Sequence, residues 1–559
     1  MSQSTIDQHN PHYEFIEVDK KLSETALWRL QETYFTQSGL NAWDSKVPFY
    51  STSRVPFCQS YAELVLAFLL DWTEHLDFEE PFYIIELGGG TGCFTYRFLN
   101  ALLEGKARFK RLEKLRIRHV LTDFTPTIIE SWKKIERLQE HVRNGVLDFA
   151  AYKPENDLSI KLEIEGTTLA RGVIKNPIVV IANYFFDSIR QDAFRIVDGK
   201  LQETRFALFR DSRNCNLKDP LKAEDILLKE EFKDCDDTYY GKSILDEILE
   251  QYRQSMKEAS VIFPVGGFNS LDNLARISDG RILLLSADKG FTSIDSRQIK
   301  GLWPQQFTAH GAFSFDVNYE AMSRYFQLKG GTSHLEAGDH TSLCFFFGTT
   351  LKEELNGVKD YFEHFIAGRD LVNSSYNLEG LVHQALSCGA HNESKSQLSL
   401  FISLVEFFSY EPVVFAIVYD SLEEKLIIEL ASIDNEKRQK LVTLLMRVWQ
   451  NIFLIDKRFD ALDYILRFLL AMKCAEECLE CCKTSLIAFG PLRTILDNCA
   501  LSYQMLGRLD RAYEFFRRSY ELNPDHLWAK EGMARCNQQD SNQQDINQQD
   551  AVNKRELAE

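Results

Sequence analysis

The sequence predicts an α/β protein, a Rossmann-like sheet of mainly parallel strands, followed by an all-helical region. Three observations predict it. Residues 82–102 pass from an unbroken apolar run ending at Leu87 into Gly88, Gly89, Gly90, Thr91 and Gly92, and then into Phe94, Phe98, Leu99 and Leu102 at helical spacing. Strand, glycine turn and helix are the opening unit of a nucleotide-binding sheet. Further apolar runs at 117–122, 177–182 and 280–286 each give way to polar residues, at the carboxyl ends where such sheets bind ligands. Beyond about Leu351, strand signals vanish and helical spacing continues to residue 536.

Composition narrows the function. With 559 residues the chain is long enough for two or three domains, and its 40 Phe suit large cores. The net charge of −18, with no basic run to offset it, argues against a nucleic-acid or anionic-membrane partner. The first residues lack the basic-then-apolar order of a secretory signal. No apolar stretch is free enough of charge to span a bilayer; the run at 61–72 carries Glu63 and Asp71. Twelve scattered cysteines read as reduced thiols of a cytoplasmic protein.

Residues 1–80 read as a helical lid segment, with helices over 22–35 and 60–75. The segment 49–57 between them is placed to cover a ligand, and Tyr61 is its residue of interest. The glycine turn follows, spaced Glu86-x-Gly88-x-Gly90-x-Gly92, with no Walker lysine. This spacing is similar to motif I of the class I S-adenosylmethionine (SAM) methyltransferases and is also open to reading as a glycine turn of another α/β enzyme. The resemblance implies a seven-stranded sheet with SAM across the turn and Glu86 near its methionine end. A carboxylate beside a sulfonium cation is favourable. At the end of the next strand, Asp123 is placed to accept hydrogen bonds from a ribose diol; capping the helix that starts near Thr125 is the other reading. Asp148 and Phe149, in the third strand, are placed to meet the adenine, although simple apolar–polar alternation gives the same pattern.

The strand 177–182 runs into Asn183-Tyr184-Phe185-Phe186-Asp187. Together with Glu86–Gly92, Asp123 and the later Gln191-Asp-Ala-Phe194, it resembles the MidA-like family of SAM-dependent methyltransferases, over roughly residues 20–350. That family includes mitochondrial assembly factors for respiratory complex I that dimethylate an arginine of a partner subunit. The resemblance implies SAM as cofactor, an arginine side chain of a protein as substrate, no metal, and Asn183, Tyr184 and Asp187 at the catalytic end. Tyr184 stands where the family has Glu, and Arg190 stands near an expected Pro. A carboxylate is the natural partner of a guanidinium, so Asp187 is the substitute for that Glu, unless it caps a following helix.

Residues 81–350 therefore read as the methyltransferase domain, with a cap inserted around 194–262. The cap opens on an alternating hairpin turning at Asp198-Gly199 and continues into an acidic, solvated stretch over 210–250. The strand at 280–286 closes on a polar turn at Ala287-Asp288-Lys289-Gly290, beside the substrate cleft. His310 precedes the last strands, as a structural residue or a general base.

Residues 351–536 read as a helical domain. Ala500, Tyr503, Gly507, Ala512, Phe516 and Pro524 fit the 34-residue tetratricopeptide pattern, which presents a groove to a peptide or protein partner. Cys474, Cys478, Cys481 and Cys482 share a helix; the repeat register makes two of them core and leaves no metal site. The repeated Asn-Gln-Gln-Asp of 537–559 reads as a disordered tail. Two functions fit: a SAM-dependent protein methyltransferase recruited by its helical domain, or a non-catalytic adaptor that keeps the SAM-binding fold. A small-molecule methyltransferase suits the large cap and the repeats less well. No oligomeric state follows from the sequence.

Overall fold

The computed structural model describes residues 11–43, 50–236, 238–293, 312–337, 343–367, 380, 383–384, 396–430, 433–453, 460–525 and 527–538. They fall into two compact units, one within 1–134 and 138–376, the other within 135–137 and 377–559.

The strands of the first unit are β1 (Tyr13–Lys21), β2 (Phe82–Leu87), β3 (Ile117–Asp123), β4 (Leu147–Ala151), the short pair β5 (Ile160–Lys161) and β6 (Thr168–Leu169), β7 (Ile178–Asn183), β8 (Asp192–Val197), β9 (Lys200–Asp211), β10 (Leu227–Asp234), β11 (Glu258–Phe263), β12 (Ile282–Phe291), β13 (Val317–Asn318), β14 (Thr332–Ala337) and β15 (Leu343–Thr349). Seven of them form the main sheet, in the order β14-β15-β12-β7-β2-β3-β4, with β13 beside β12. The five from β12 to β4 run parallel; β15 is antiparallel to both of its neighbours. This is the Rossmann-like α/β sheet that the sequence predicts. β2 and β7 are apolar and buried along nearly their whole length because helices cover both faces of a parallel sheet. Strand order reverses between β2 and β7, and such a reversal opens a crevice at the carboxyl ends.

A second sheet, β1-β9-β8-β11 with β10 also on β9, is antiparallel throughout. Its β8–β9 hairpin turns at Asp198 and Gly199, which hold φ of 50° and 71°, the pair of positive values that a two-residue hairpin turn of the favoured hand requires. Three expectations change here. The segment 1–80 is not wholly helical, because β1 pairs with β9. The strand has two register irregularities, and its partner is about two hundred residues away. The acidic stretch 210–250 holds β10 and the helix Ser243–Ser255; charges mark β10 as an edge strand. β12 does not close on a turn at 287–290 but continues to Phe291.

The helix Asn356–Tyr361 belongs to the first unit, where Asp71 accepts a hydrogen bond from Val358 N at 3.1 Å. The helical region thus starts later than residue 351. In the second unit, helices Gln397–Phe407, Pro412–Leu430, Asn435–Gln450, Ala461–Ala471 and Ala475–Phe489 bury one apolar core that includes Cys474, Cys478, Cys481 and Cys482. Helices Arg493–Met505 and Leu509–Leu522 pack as a pair across a turn at Gly507 (φ 72°). Ala500, Ala512 and Phe516 lie buried in that pair with Ala529 and Cys536. Among the described residues, no helix is long and apolar enough to cross a membrane, and no His, Cys, Asp and Glu cluster is arranged for a metal ion. His310 and the tail beyond residue 538 lie outside the described residues.

Candidate active site

The crevice at the β2–β7 reversal is a cavity of about 230 Å³. Its floor is the glycine turn. Gly88 and Gly90 hold φ of 64° and 53°, conformations that side-chain-bearing residues rarely adopt. Gly89 lies so close to β3 that a Cβ there would fall 2.0 Å from Leu121 Cδ1. The turn is tied down by Gly89 N donating to Thr122 O (3.0 Å) and by Trp132 Nε1 donating to Gly90 O (3.0 Å). Gly92 is the left-handed N-cap of the helix Cys93–Ala107, packed toward Leu138 and outside the cavity lining.

Glu86 lines the cavity at the end of β2. Its Oε2 accepts hydrogen bonds from Thr95 Oγ1 (2.7 Å) and His119 Nε2 (2.8 Å). Asp123 lines it at the end of β3 and is 5% exposed. Its Oδ1 accepts from Thr125 N at 2.8 Å, and burial pushes the carboxyl up to about 6. Thr125, not Asp123, is the N-cap residue of the helix Pro126–Trp132.

Asn183, Tyr184 and Asp187 line the wall at the end of β7. Asn183 Oδ1 accepts from Tyr61 OH (3.0 Å) and Ala287 N (3.1 Å), while its buried Nδ2 has no partner among the described residues. The lid-segment tyrosine thus reaches the site from the helix Val55–Asp71. Tyr184 has φ of 48°, which stores of order 1 kcal/mol for a bulky residue. Asp187 sits in the 3₁₀ turn Phe186–Ser188, 4% exposed; no helix follows for it to cap, since β8 comes next. Its Oδ1 accepts from Ser188 Oγ at 2.6 Å, and burial pushes the carboxyl up while Lys289 opposes that rise.

Asp148 and Phe149 are not brought to the cavity. Both oxygens of Asp148 accept from backbone N–H groups: Oδ1 from Phe149 (2.7 Å) and Ile164 (2.9 Å), Oδ2 from Glu165 (3.0 Å). Phe149 is wholly buried against Trp132. The aromatic wall comes instead from Phe124, Phe35 and Trp43, none of which the sequence pointed to. Phe35 lies 5.6 Å from Trp43 and 6.5 Å from Phe124, centroid to centroid, and the Trp43 ring stands 3.4 Å from where a Gly90 Cβ would be. Phe124 was open to inference from its place beside Asp123; nothing local marks Phe35 or Trp43. Thr52 and Ser53 also line the cavity, and Arg97 Nη1 donates to Ser53 O at 2.6 Å.

The site thus offers a buried acceptor carboxylate for hydroxyls, an aromatic wall for a flat ring, a glycine turn without a phosphate-binding lysine, and a carboxylate–amide end at β7. No protein-family model and no curated protein matches the chain. The chain is similar to two crystal structures of proteins from Burkholderia thailandensis. One is an uncharacterized ACR, COG1565 superfamily protein, with a TM-score of 0.36 and 12% identity, covering 57% of this chain and 74% of that one. The other is a COG1565 superfamily member bound to S-adenosyl-homocysteine, with a TM-score of 0.39 and 11% identity, covering 64% of this chain and 83% of that one.

Proposed function

We propose that this chain is a SAM-dependent methyltransferase that acts on a protein substrate. One observation carries the reading: the glycine turn of β2, the buried Asp123 of β3 and the Asn183–Asp187 end of β7 line a single cavity at the strand-order reversal. The residues suit SAM. A Cβ at Gly88 or Gly90 would stand 3.1 Å from Phe185 or 3.4 Å from Trp43, both of which line the cavity, Asp123 is a buried acceptor for a ribose diol, and Asn183 Nδ2, unpaired among the described residues, is a donor open to a ligand acceptor. Phe124, Phe35 and Trp43 would face the adenine in place of Asp148 and Phe149, and Glu86 with the turn backbone would hold the methionine end.

Bound SAM supplies a methyl group on a cationic sulfur. The chain's own part is positioning and exclusion of water. Asn183 and Tyr184 orient the acceptor, and Asp187 presents a buried carboxylate to it. By its MidA-like resemblance the acceptor is an arginine of a partner protein. A guanidinium is always charged, and Asp187 is the carboxylate available to meet it where Tyr184 has replaced the Glu. The helical unit, with its tetratricopeptide-like last pair, would recruit that partner.

Calorimetric titration of the full chain with SAM and S-adenosylhomocysteine, beside Asp123→Ala, tests the reading. Micromolar binding that the variant loses supports it. No binding by the wild type refutes it and leaves the adaptor.

A further inference from the structure

Three side chains fix Glu86 at the head of the glycine turn. Thr122 Oγ1 donates to its backbone O at 2.7 Å. Thr95 Oγ1, from the helix after the turn, donates to carboxylate Oε2 at 2.7 Å, and His119 Nε2, from β3, donates to the same oxygen at 2.8 Å. Both Thr95 and His119 are fully buried, and neither lines the cavity. Glu86 does line it, and its other oxygen, Oε1, accepts no hydrogen bond among the described residues. A carboxylate only accepts, so the His119 proton sits on Nε2. The ring packs against Phe98, 5.7 Å between centroids, and its Nδ1 has no partner among the described residues. A side chain present for packing alone would not leave a polar nitrogen unpaired in the core.

We propose that His119 is a positioning residue for the amino group of the ligand: with Thr95 it takes up Oε2 of Glu86 and leaves Oε1 as the acceptor that meets an ammonium. The inference deepens the SAM-binding reading and rests on it. Two donors on one oxygen keep the carboxylate from turning, so its free oxygen has a fixed direction when the ligand enters. A carboxylate held in this way at a glycine turn attracts an ammonium and repels a phosphate. The arrangement therefore selects a nucleoside that carries an amino acid over the bare nucleoside or a nucleotide. The neighbouring His141 does not offset the charge of Glu86: burial pushes its imidazole down to about 4, so it brings no cation near neutral pH. His119 and Thr95 touch no ligand atom and act through Glu86.

Calorimetry of the full-length chain with two ligands reads the role. One is S-adenosylhomocysteine; the other is 5′-methylthioadenosine, which keeps the thioether nucleoside and lacks the amino-acid end. His119→Leu should weaken the first at least about tenfold and leave the second within about twofold, because only the first uses Glu86. His119→Gln, whose amide nitrogen can stand where Nε2 does, should restore the preference. If His119→Leu fails to fold, Thr95→Val removes the other donor at nearly constant shape and should shift the preference in the same direction. Equal losses for the two ligands mark these residues as merely structural and overturn the proposal, and so does an unchanged preference.

A second arm needs no ligand. Nitrogen NMR of the full-length chain with labelled histidine should show an imidazole protonated on Nε2, assigned by its absence from His119→Gln, and Glu86→Gln should move that Nε2 resonance. A proton on Nδ1 instead, or an Nε2 resonance indifferent to Glu86→Gln, overturns the hold of His119 on Glu86. If the wild type binds neither ligand, the SAM-binding reading fails and the selection of an ammonium falls with it, while the nitrogen spectra still decide the hold on Glu86.

Discussion

Asp123 offers the sharpest test of how the site is built. Replacing it with Asn keeps an oxygen for Thr125 N but removes the charge. In the folded chain, burial raises the carboxyl from its ordinary 3.8 to about 6. A carboxyl whose folded pKa lies above its unfolded one binds its proton more tightly when folded. The folded state is therefore penalised at high pH, in full above about 6, and the penalty fades as pH falls from about 6 toward 3.8. At ~1.4 kcal/mol per pH unit, the difference is worth roughly 3 kcal/mol. Asp123→Asn should thus stabilise the first unit by up to about that much near pH 8, and by almost nothing near pH 4. Urea unfolding across that range, followed by tryptophan fluorescence, measures the gain; calorimetry with S-adenosylhomocysteine should show affinity falling at least about tenfold in the same variant, as expected when a charged hydrogen-bond acceptor is lost. A variant that is less stable near pH 8, or equally stabilised at both pH values, would refute the reasoning.

Three further outcomes are expected. Gly89→Ala places a Cβ 2.0 Å from Leu121 Cδ1 and should cost about 1–3 kcal/mol together with SAM binding; in a double-mutant cycle with Leu121→Ala, thermal unfolding should show the two changes far from additive. Asn183→Ala strips the acceptor from the Tyr61 hydroxyl and from Ala287 N, at about 1–3 kcal/mol; adding Tyr61→Phe should recover part of that loss in the melting temperature. In the helical unit, Phe516→Ala empties the core of the last pair, where Phe516 is fully buried. It should cost about 3–5 kcal/mol, visible as rapid amide exchange over residues 493–522.

What the sequence made legible was what local pattern controls. The run of Tyr83 to Leu87 into glycines announces a buried strand and a tight turn, and both are there. Asp198-Gly199 announces a hairpin for the same reason: the turn needs two positive φ values, and those residues supply them. β1 was illegible because its pairing partner is β9 and its own residues are half-exposed, so no apolar alternation marks it. Phe35 and Trp43 were illegible as site residues because only the packing of the N-terminal segment over the turn brings them there. Nothing in their neighbourhood separates them from ordinary core aromatics.

The carboxylates at the strand ends show where such reading runs out and what replaces it. Glu86, Asp123 and Asp148 stand at or near the ends of adjacent strands, and by sequence position all three could face a ligand. The structure separates them by what their oxygens do. Asp148 spends both on three backbone N–H groups, two of them in the turn between β5 and β6; its side chain is a fastening. Asp123 also takes backbone hydrogen bonds, yet its carboxyl remains displaced to about 6, so those bonds do not replace the water that burial removed. A pair of ligand hydroxyls donating to it would make up the deficit and draw the carboxyl back down. Binding should then release a proton to the protein's surroundings less and less as pH rises above about 6, while below it the ligand must displace the proton that Asp123 holds. Calorimetric titration in buffers of different ionisation heat counts that proton directly. A count that peaks between about pH 4 and 6 and falls to near zero well above 6 assigns the linkage to a carboxyl of this pKa, and its disappearance in Asp123→Asn assigns it to Asp123. A count that does not change with pH would remove Asp123 from the ligand's contacts.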